Sequence, residues 1–151
     1  MRSENEVLGL FEGSSEEKLD QVAGLFSTLA PQASCRLSRD GRKIICAAQR
    51  VDGGMHIEEL STELLPAENV RHAAMRLGKA THPPESIGKW ERWASAWHLI
   101  EDHGADAIPR ADDQIRMLDA EGSASGAEVY RDLRRRIAVL QAKPEAWAGQ
   151  A

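Results

Sequence analysis

His98, Asp102 and His103 are the only clustered acid–base side chains in this chain of 151 residues. His98 and Asp102 lie four apart, on one face of a helix, where two ligands of a metal would sit. His103 is five from His98 and belongs to another face, so a third ligand is lacking, and the preference of histidine for a helix C-terminus explains it without a metal. As acid–base groups the three define a third-ranked reading, a small enzyme of unknown type. Gly78-Lys79-Ala80-Thr81 fails as a phosphate loop: Ala73 stands where the loop's first glycine is required, and no Ser or Thr directly follows Lys79. No serine lies in a nucleophile elbow. Cys35 and Cys46 are expected on the apolar side of a hairpin, where burial raises a thiol's pKa and blunts its reactivity. No catalytic residue, metal site or cofactor is therefore assigned.

The residues suited to binding are more numerous. Trp90, Trp93 and Trp97 recur at i, i+3 and i+7, one stripe of a helix. A bundle core explains the stripe best, while Trp90, nearest a linker, is the one to anchor a partner protein. Arg36, Arg39, Arg42, Lys43 and Arg50 gather on the hairpin. Arg131, Arg134 and Arg135 share the face of the last helix opposite Leu133 and Ile137, and either basic patch suits phosphates or an acidic surface. The hairpin carries no base-stacking aromatic, which favours a protein partner over nucleic acid.

Net charge is −5, which argues against whole-molecule attraction to nucleic acid or an anionic membrane. Charge alternates in blocks, basic over 34–50, 71–92 and 131–151 and acidic between them. The opening Met-Arg-Ser-Glu-Asn-Glu lacks the apolar core of a signal peptide, and no window has the run of apolar residues a membrane span needs. A cytoplasmic location with reduced thiols is the expectation.

The elements that must position these residues follow from caps, turns and periodicity. Ser14 with Glu17 makes a capping box for a helix to about Ala30, carrying Leu19, Val22, Phe26 and Leu29 inward. Before it, Val7, Leu8, Leu10 and Phe11 form an arm, docked or frayed. Asp40-Gly41 predicts a two-residue hairpin turn with both residues at positive φ, in which opposed positions sum to 81. Leu37 then faces Ile44 and Cys35 faces Cys46 on the buried side, as a hydrogen-bonded pair for which a disulfide is conceivable but not favoured. Arg36, Ser38, Lys43 and Ile45 occupy the other side. Met55 to Leu60 predicts a third strand with Met55 and Ile57 on one face, and a helix over about 66–78 stops at Gly78. Past a breaker-rich stretch, three helices share one spacing: Trp90, Trp93, Trp97 and Ile100; Ile108, Ala111, Ile115 and Leu118; Tyr130, Leu133, Ile137 and Leu140. Gly104 ends the first, Asp106 caps the second, Gly122 ends it, and Ser125 with Glu128 predicts a second capping box.

The stretch from Trp90 to about Leu140, through Trp93-Ala94, Glu101-Asp102-His103-Gly104-Ala105-Asp106-Ala107, Asp119-Ala120-Glu121-Gly122 and Tyr130 with Leu133, Arg136 and Ile137, resembles a family of small helical bacterial domains of unknown function. Tyr130 stands where that family usually carries a tryptophan, and the turn from Gly122 to Gly126 is longer. The resemblance implies a helical fold and no activity, and residues 1–85 resemble nothing recognised.

The expected architecture is a mainly helical α+β protein: a small α+β subdomain over 1–80 with the β-hairpin and its added strand between two helices, a linker over 81–89, a three-helix bundle over 90–143 and a tail over 144–151. The leading functional expectation is a cytoplasmic, non-enzymatic interaction or adaptor protein that binds a protein partner through Trp90 and the hairpin residues Arg36, Arg39, Arg42 and Lys43. The alternative is a weak nucleic-acid binder that uses the hairpin together with Arg131, Arg134 and Arg135.

Overall fold

The computed structural model describes residues 10–81 and 87–148. The fold is mainly helical α+β. In chain order the described elements are α1 (Ser15–Leu29), β1 (Ser34–Leu37), β2 (Lys43–Gln49), β3 (Met55–Ser61), α2 (Ala67–Thr81), α3 (Ile87–His103), α4 (Ala107–Ala120) and α5 (Ala124–Gln141). Short 3-10 turns occupy Gly104–Asp106 and Pro144–Trp147. The chain divides into two compact units, one of 1–84 joined by 143–151 and one of 85–142.

In the first unit α1 starts where its capping box forms: Glu17 N–H donates to Ser14 Oγ at 3.2 Å and Ser14 N–H to Glu17 Oε1 at 3.4 Å. Its buried face is Val22, Gly24, Leu25, Phe26 and Leu29. The three strands form an antiparallel sheet in the order β1-β2-β3, and α1 and α2 pack against it. Ile44, Cys46, Ala48 and Leu60 enter the core from the sheet, and Val70, Ala73, Ala74 and Leu77 from α2.

The sequence register holds, with Leu37 opposite Ile44 and Cys35 opposite Cys46, but the turn that sets it differs. Among the described residues no non-glycine has positive φ, and only Gly41 of the Asp40-Gly41 pair does, at 70°. Gly41 N–H donates to Ser38 O and Ser38 N–H to Lys43 O, so the loop spans the four residues 39–42. Asp40 closes it by accepting from Ser38 Oγ at 2.7 Å and Arg42 N–H at 3.0 Å. A symmetric four-residue loop has the same centre as a two-residue one, so facing partners are kept while their hydrogen-bonding alternates the other way. Ser38 and Lys43 are a hydrogen-bonded pair; Cys35 and Cys46, three positions on, are therefore a non-hydrogen-bonded pair, the type with the closer side chains.

Helix α2 runs past Gly78 to Thr81. Val51 N–H donates to the Ala80 carbonyl at 3.1 Å, satisfying a group that a helix end would leave bare. The arm is docked where described: Leu10 bridges Pro66 and Phe11 N–H donates to Leu65 O at 3.0 Å. Val7 and Leu8 lie outside the described residues, as do 82–86 of the expected linker and 149–151 of the expected tail.

Residues 144–148 of the expected tail fold back through Trp147. Trp147 is 1% exposed, its ring 5.8 Å from that of Phe11 and 5.3 Å from the Arg71 guanidinium above it. Burial of a side chain of this size supplies the apolar contact that holds the turn in place. Gly24 makes room for it, since a Cβ there would stand 1.7 Å from the Trp147 carbonyl oxygen.

In the second unit α5 packs against both α3 and α4. Trp93, Ala96, Ala107, Ala111, Ala127, Leu133, Ile137 and Leu140 form its core. The Asp106 carboxylate makes no capping bond, because the 3-10 turn leads directly into α4 and Ala107 N–H donates to Gly104 O instead. At the other end of α4, Gly122 at φ 78° lets its own N–H reach Asp119 O and Ser123 N–H reach Leu118 O, a Schellman closure. The chain re-enters a helix at once, so Ser125 lies inside the first turn of α5 and the Ser125–Glu128 capping box does not form. Glu128 accepts from Arg131 at 2.8 Å instead.

Candidate interaction surface

Alternation along the strands gives the sheet two chemically different faces. The inner face carries Cys35 and Leu37, then Ile44, Cys46 and Ala48, then His56, Glu58 and Leu60, toward α1 and α2. The outer face carries Ser34 and Arg36, then Lys43, Ile45, Ala47 and Gln49, then Met55, Ile57, Glu59 and Ser61. Register fixes its cross-strand rows: Arg36, Ile45 and Glu59 form one, Ala47 and Ile57 another, Gln49 and Met55 a third.

This outer face is apolar at its middle. Met55 and Ile57 are each 59% exposed, Val51 in the turn after β2 is 52% exposed, and Ile45 and Ala47 between them are half-buried. Single exposed apolar side chains are ordinary, but neighbouring ones on one sheet face form a patch. The sequence placed Met55 and Ile57 together correctly; what it left unassigned was which side they take. The turn between β2 and β3 decides it: its three residues 51–53 are closed by Arg50 N–H donating to Gly54 O, with Gly53 at φ 99°. It opposes Gln49 to Met55 and Ala47 to Ile57, and odd positions of β2 point away from the buried Ile44 and Cys46, whereas a two-residue Asp52-Gly53 turn would shift the register by one and turn Met55 inward.

The basic hairpin residues separate by position. Arg36 and Lys43 border the patch, and Lys43 pairs with Glu59 at 3.4 Å. Arg39 and Arg42 lie in the turn, with Arg42 paired to Glu63 at 3.5 Å. Arg36 and Arg39 have no ion-pair partner among the described residues, and both are exposed. Such surface pairs are worth a fraction of a kilocalorie each, so Lys43 and Arg42 are readily redirected to a partner's carboxylate.

Beneath β3 the inner face holds the sheet's buried charge. Arg76 of α2 donates to Glu58 through Nε at 3.1 Å and Nη2 at 2.7 Å, and His56 Nε2 lies 2.6 Å from the same carboxylate, which is 13% exposed. Burial works to raise the Glu58 pKa, but the bonds from Arg76 and His56 outweigh it and hold the carboxyl below its ordinary value. Inward charge on an outermost strand also discourages indiscriminate strand pairing at its edge. No pattern in the sequence marks this cluster, because Arg76 is eighteen residues from Glu58.

The last-helix arginines are paired with carboxylates of their own unit. Arg131 donates to Asp119 and Glu128, Arg134 to Asp112, and Arg135 to Asp132, all at 2.6–2.8 Å. Arg136 donates to Asp132 at 2.9 Å while its guanidinium lies 4.7 Å from the Trp93 ring centroid, and Arg92 reaches the same carboxylate at 3.1 Å. Trp93 is thus a core residue, and Trp90 and Trp97 are half-buried on the same helix. His98 is exposed and lies 3.6 Å from Glu101; no group of three or more metal-ligating side chains occurs among the described residues.

No helix is long and apolar enough to cross a membrane among the described residues. No protein-family model, characterised protein or solved structure matches the chain.

Proposed function

We propose that this chain is a non-enzymatic, cytoplasmic interaction protein that docks a protein partner on the outer face of its sheet. The carrying observation is the adjacency of Met55 and Ile57, both 59% exposed, on a face whose opposite side is packed on two helices. Burying these side chains together with Ile45 and Ala47 supplies the apolar centre of an interface, and Arg36 and Lys43 supply its polar rim. The partner surface that fits is apolar with a carboxylate opposite Arg36. Arg39 and Arg42, at the turn, steer an acidic partner without being buried.

Nucleic-acid binding has less support, because the carboxylates of Asp119, Asp112 and Asp132 stand beside Arg131, Arg134 and Arg135 and offset the positive charge that phosphates would meet. Trp90 is half-buried and is not among the exposed large apolar side chains that Met55 and Ile57 belong to, so the sheet face is the favoured anchor.

The test uses the full chain and the protein that co-purifies with it from its own cells. Replacing Met55 and Ile57 together by Lys leaves the core untouched and shifts stability by about 1 kcal/mol at most, at about 0.5 kcal/mol per site, while weakening association at least about tenfold, the effect of losing roughly 1.4 kcal/mol of interface. Arg36→Glu slows association most at low salt. Undiminished binding by the double-lysine variant, with loss in Trp90→Ala, overturns the proposal.

A further inference from the structure

We infer that Cys35 and Cys46 are a reversible dithiol–disulfide pair, closed by a low-molecular-weight disulfide, that ties the edge strand β1 to the centre of the sheet. The inference stands independently of the docking face, since both thiols lie on the opposite side of the sheet.

Geometry carries it. The two residues are directly opposed on antiparallel strands and form a non-hydrogen-bonded pair, for which the Cα separation is about 4.5 Å, inside the range that a disulfide spans. Their Sγ atoms are 2.8 Å apart. Closure therefore needs side-chain rotation and no movement of the backbone. Both cysteines are free thiols in this structure.

Their accessibility differs, which assigns the order of events. Cys46 is fully buried, and its contact with Cys35 together with burial pushes its thiol pKa well above the ordinary value. Cys35 is half-buried on a strand of four residues at the sheet's edge. Cys35 loses its proton to solvent and its thiolate attacks one sulfur of the external disulfide, making a mixed disulfide and releasing the other half as a thiolate that takes up a proton. Cys46 then loses its proton, and its sulfur attacks Cys35 Sγ and displaces the second half as a thiol. One external disulfide is reduced to two thiols, and two protein thiols are oxidised to one disulfide. The second step is fast despite the raised pKa because its partner is already in contact.

The bond closes a loop around the hairpin turn, restricting the unfolded chain and the opening of β1. The test places the full chain in mixtures of oxidised and reduced glutathione, read by intact mass, alkylation and thermal melting. The expected product is one species lighter by two hydrogens, resistant to alkylation, melting about 5–10 °C higher and reverting in reduced glutathione. Cys46→Ser should stop at a glutathione adduct on Cys35, and Cys35→Ser should leave Cys46 unmodified while folded. Wild-type protein that accumulates the Cys35 adduct, remains dithiol throughout, or reacts first at Cys46 overturns the inference.

Discussion

Asp132 receives three guanidinium groups, from Arg92, Arg135 and Arg136, and is 20% exposed. Burial opposes its ionisation, but these bonds prevail and hold its carboxyl far below the usual carboxylate range. The stabilisation belongs to the ionised form. It is fully present above the unfolded pKa near 3.9 and is lost as pH falls through the lower folded value. Asp132→Asn keeps the shape and removes the charge, leaving Arg136, 11% exposed against Trp93, without its counter-ion. We expect a loss of about 2 kcal/mol at neutral pH and a flatter dependence of stability on pH below about pH 4, both measurable by denaturant titration across pH. An unchanged pH profile would remove Asp132 from the account of the bundle.

At the scale of elements, the sharpest prediction concerns α1 and the turn that packs on it. Glycine inside a helix ordinarily costs about 0.5–1 kcal/mol relative to alanine, so Gly24→Ala would stabilise an isolated α1. Here the added methyl would meet the Trp147 carbonyl, and we expect a net loss of about 1–3 kcal/mol with increased exposure of Trp147 by fluorescence. A gain in stability would mean that the turn is not seated on α1. Gly24 also shows why parts of the fold could not be read from sequence: nothing local to residues 20–28 specifies a partner at residue 147. What depends on neighbouring residues was legible. The Ser14–Glu17 box set the start of α1, the 3-4-3 stripes set the bundle, and the hairpin's centre set its register. Where two local signals competed, the reading failed. Ser125 with Glu128 has the form of a capping box, yet the Schellman closure at Gly122 restarts the helix before it. Gly78 has the form of a stop, yet α2 runs on to Thr81, where Val51, distant in sequence, donates to the Ala80 carbonyl. The same holds for the candidate site, since composition marks the arginines, but only the strand register shows that Arg36 borders an apolar patch and only the helix packing shows that Arg131 stands beside Asp119.

For the whole molecule, the chain completes its first unit twice, once through residues 10–81 and again through 143–148, with the helical unit between them in sequence. The sheet that closes this first unit presents one face to its helices and one to solvent, and the solvent face concentrates exposed apolar side chains. The docking proposal rests on that asymmetry. Side-chain hydroxyl-radical footprinting of the full chain, free and bound to its co-purified partner, tests it most directly, because Met55 is both exposed and readily oxidised. Binding should protect Met55 and Ile57 while leaving the labelling of Trp90 unchanged; protection of Trp90 with Met55 still fully labelled would overturn the docking face.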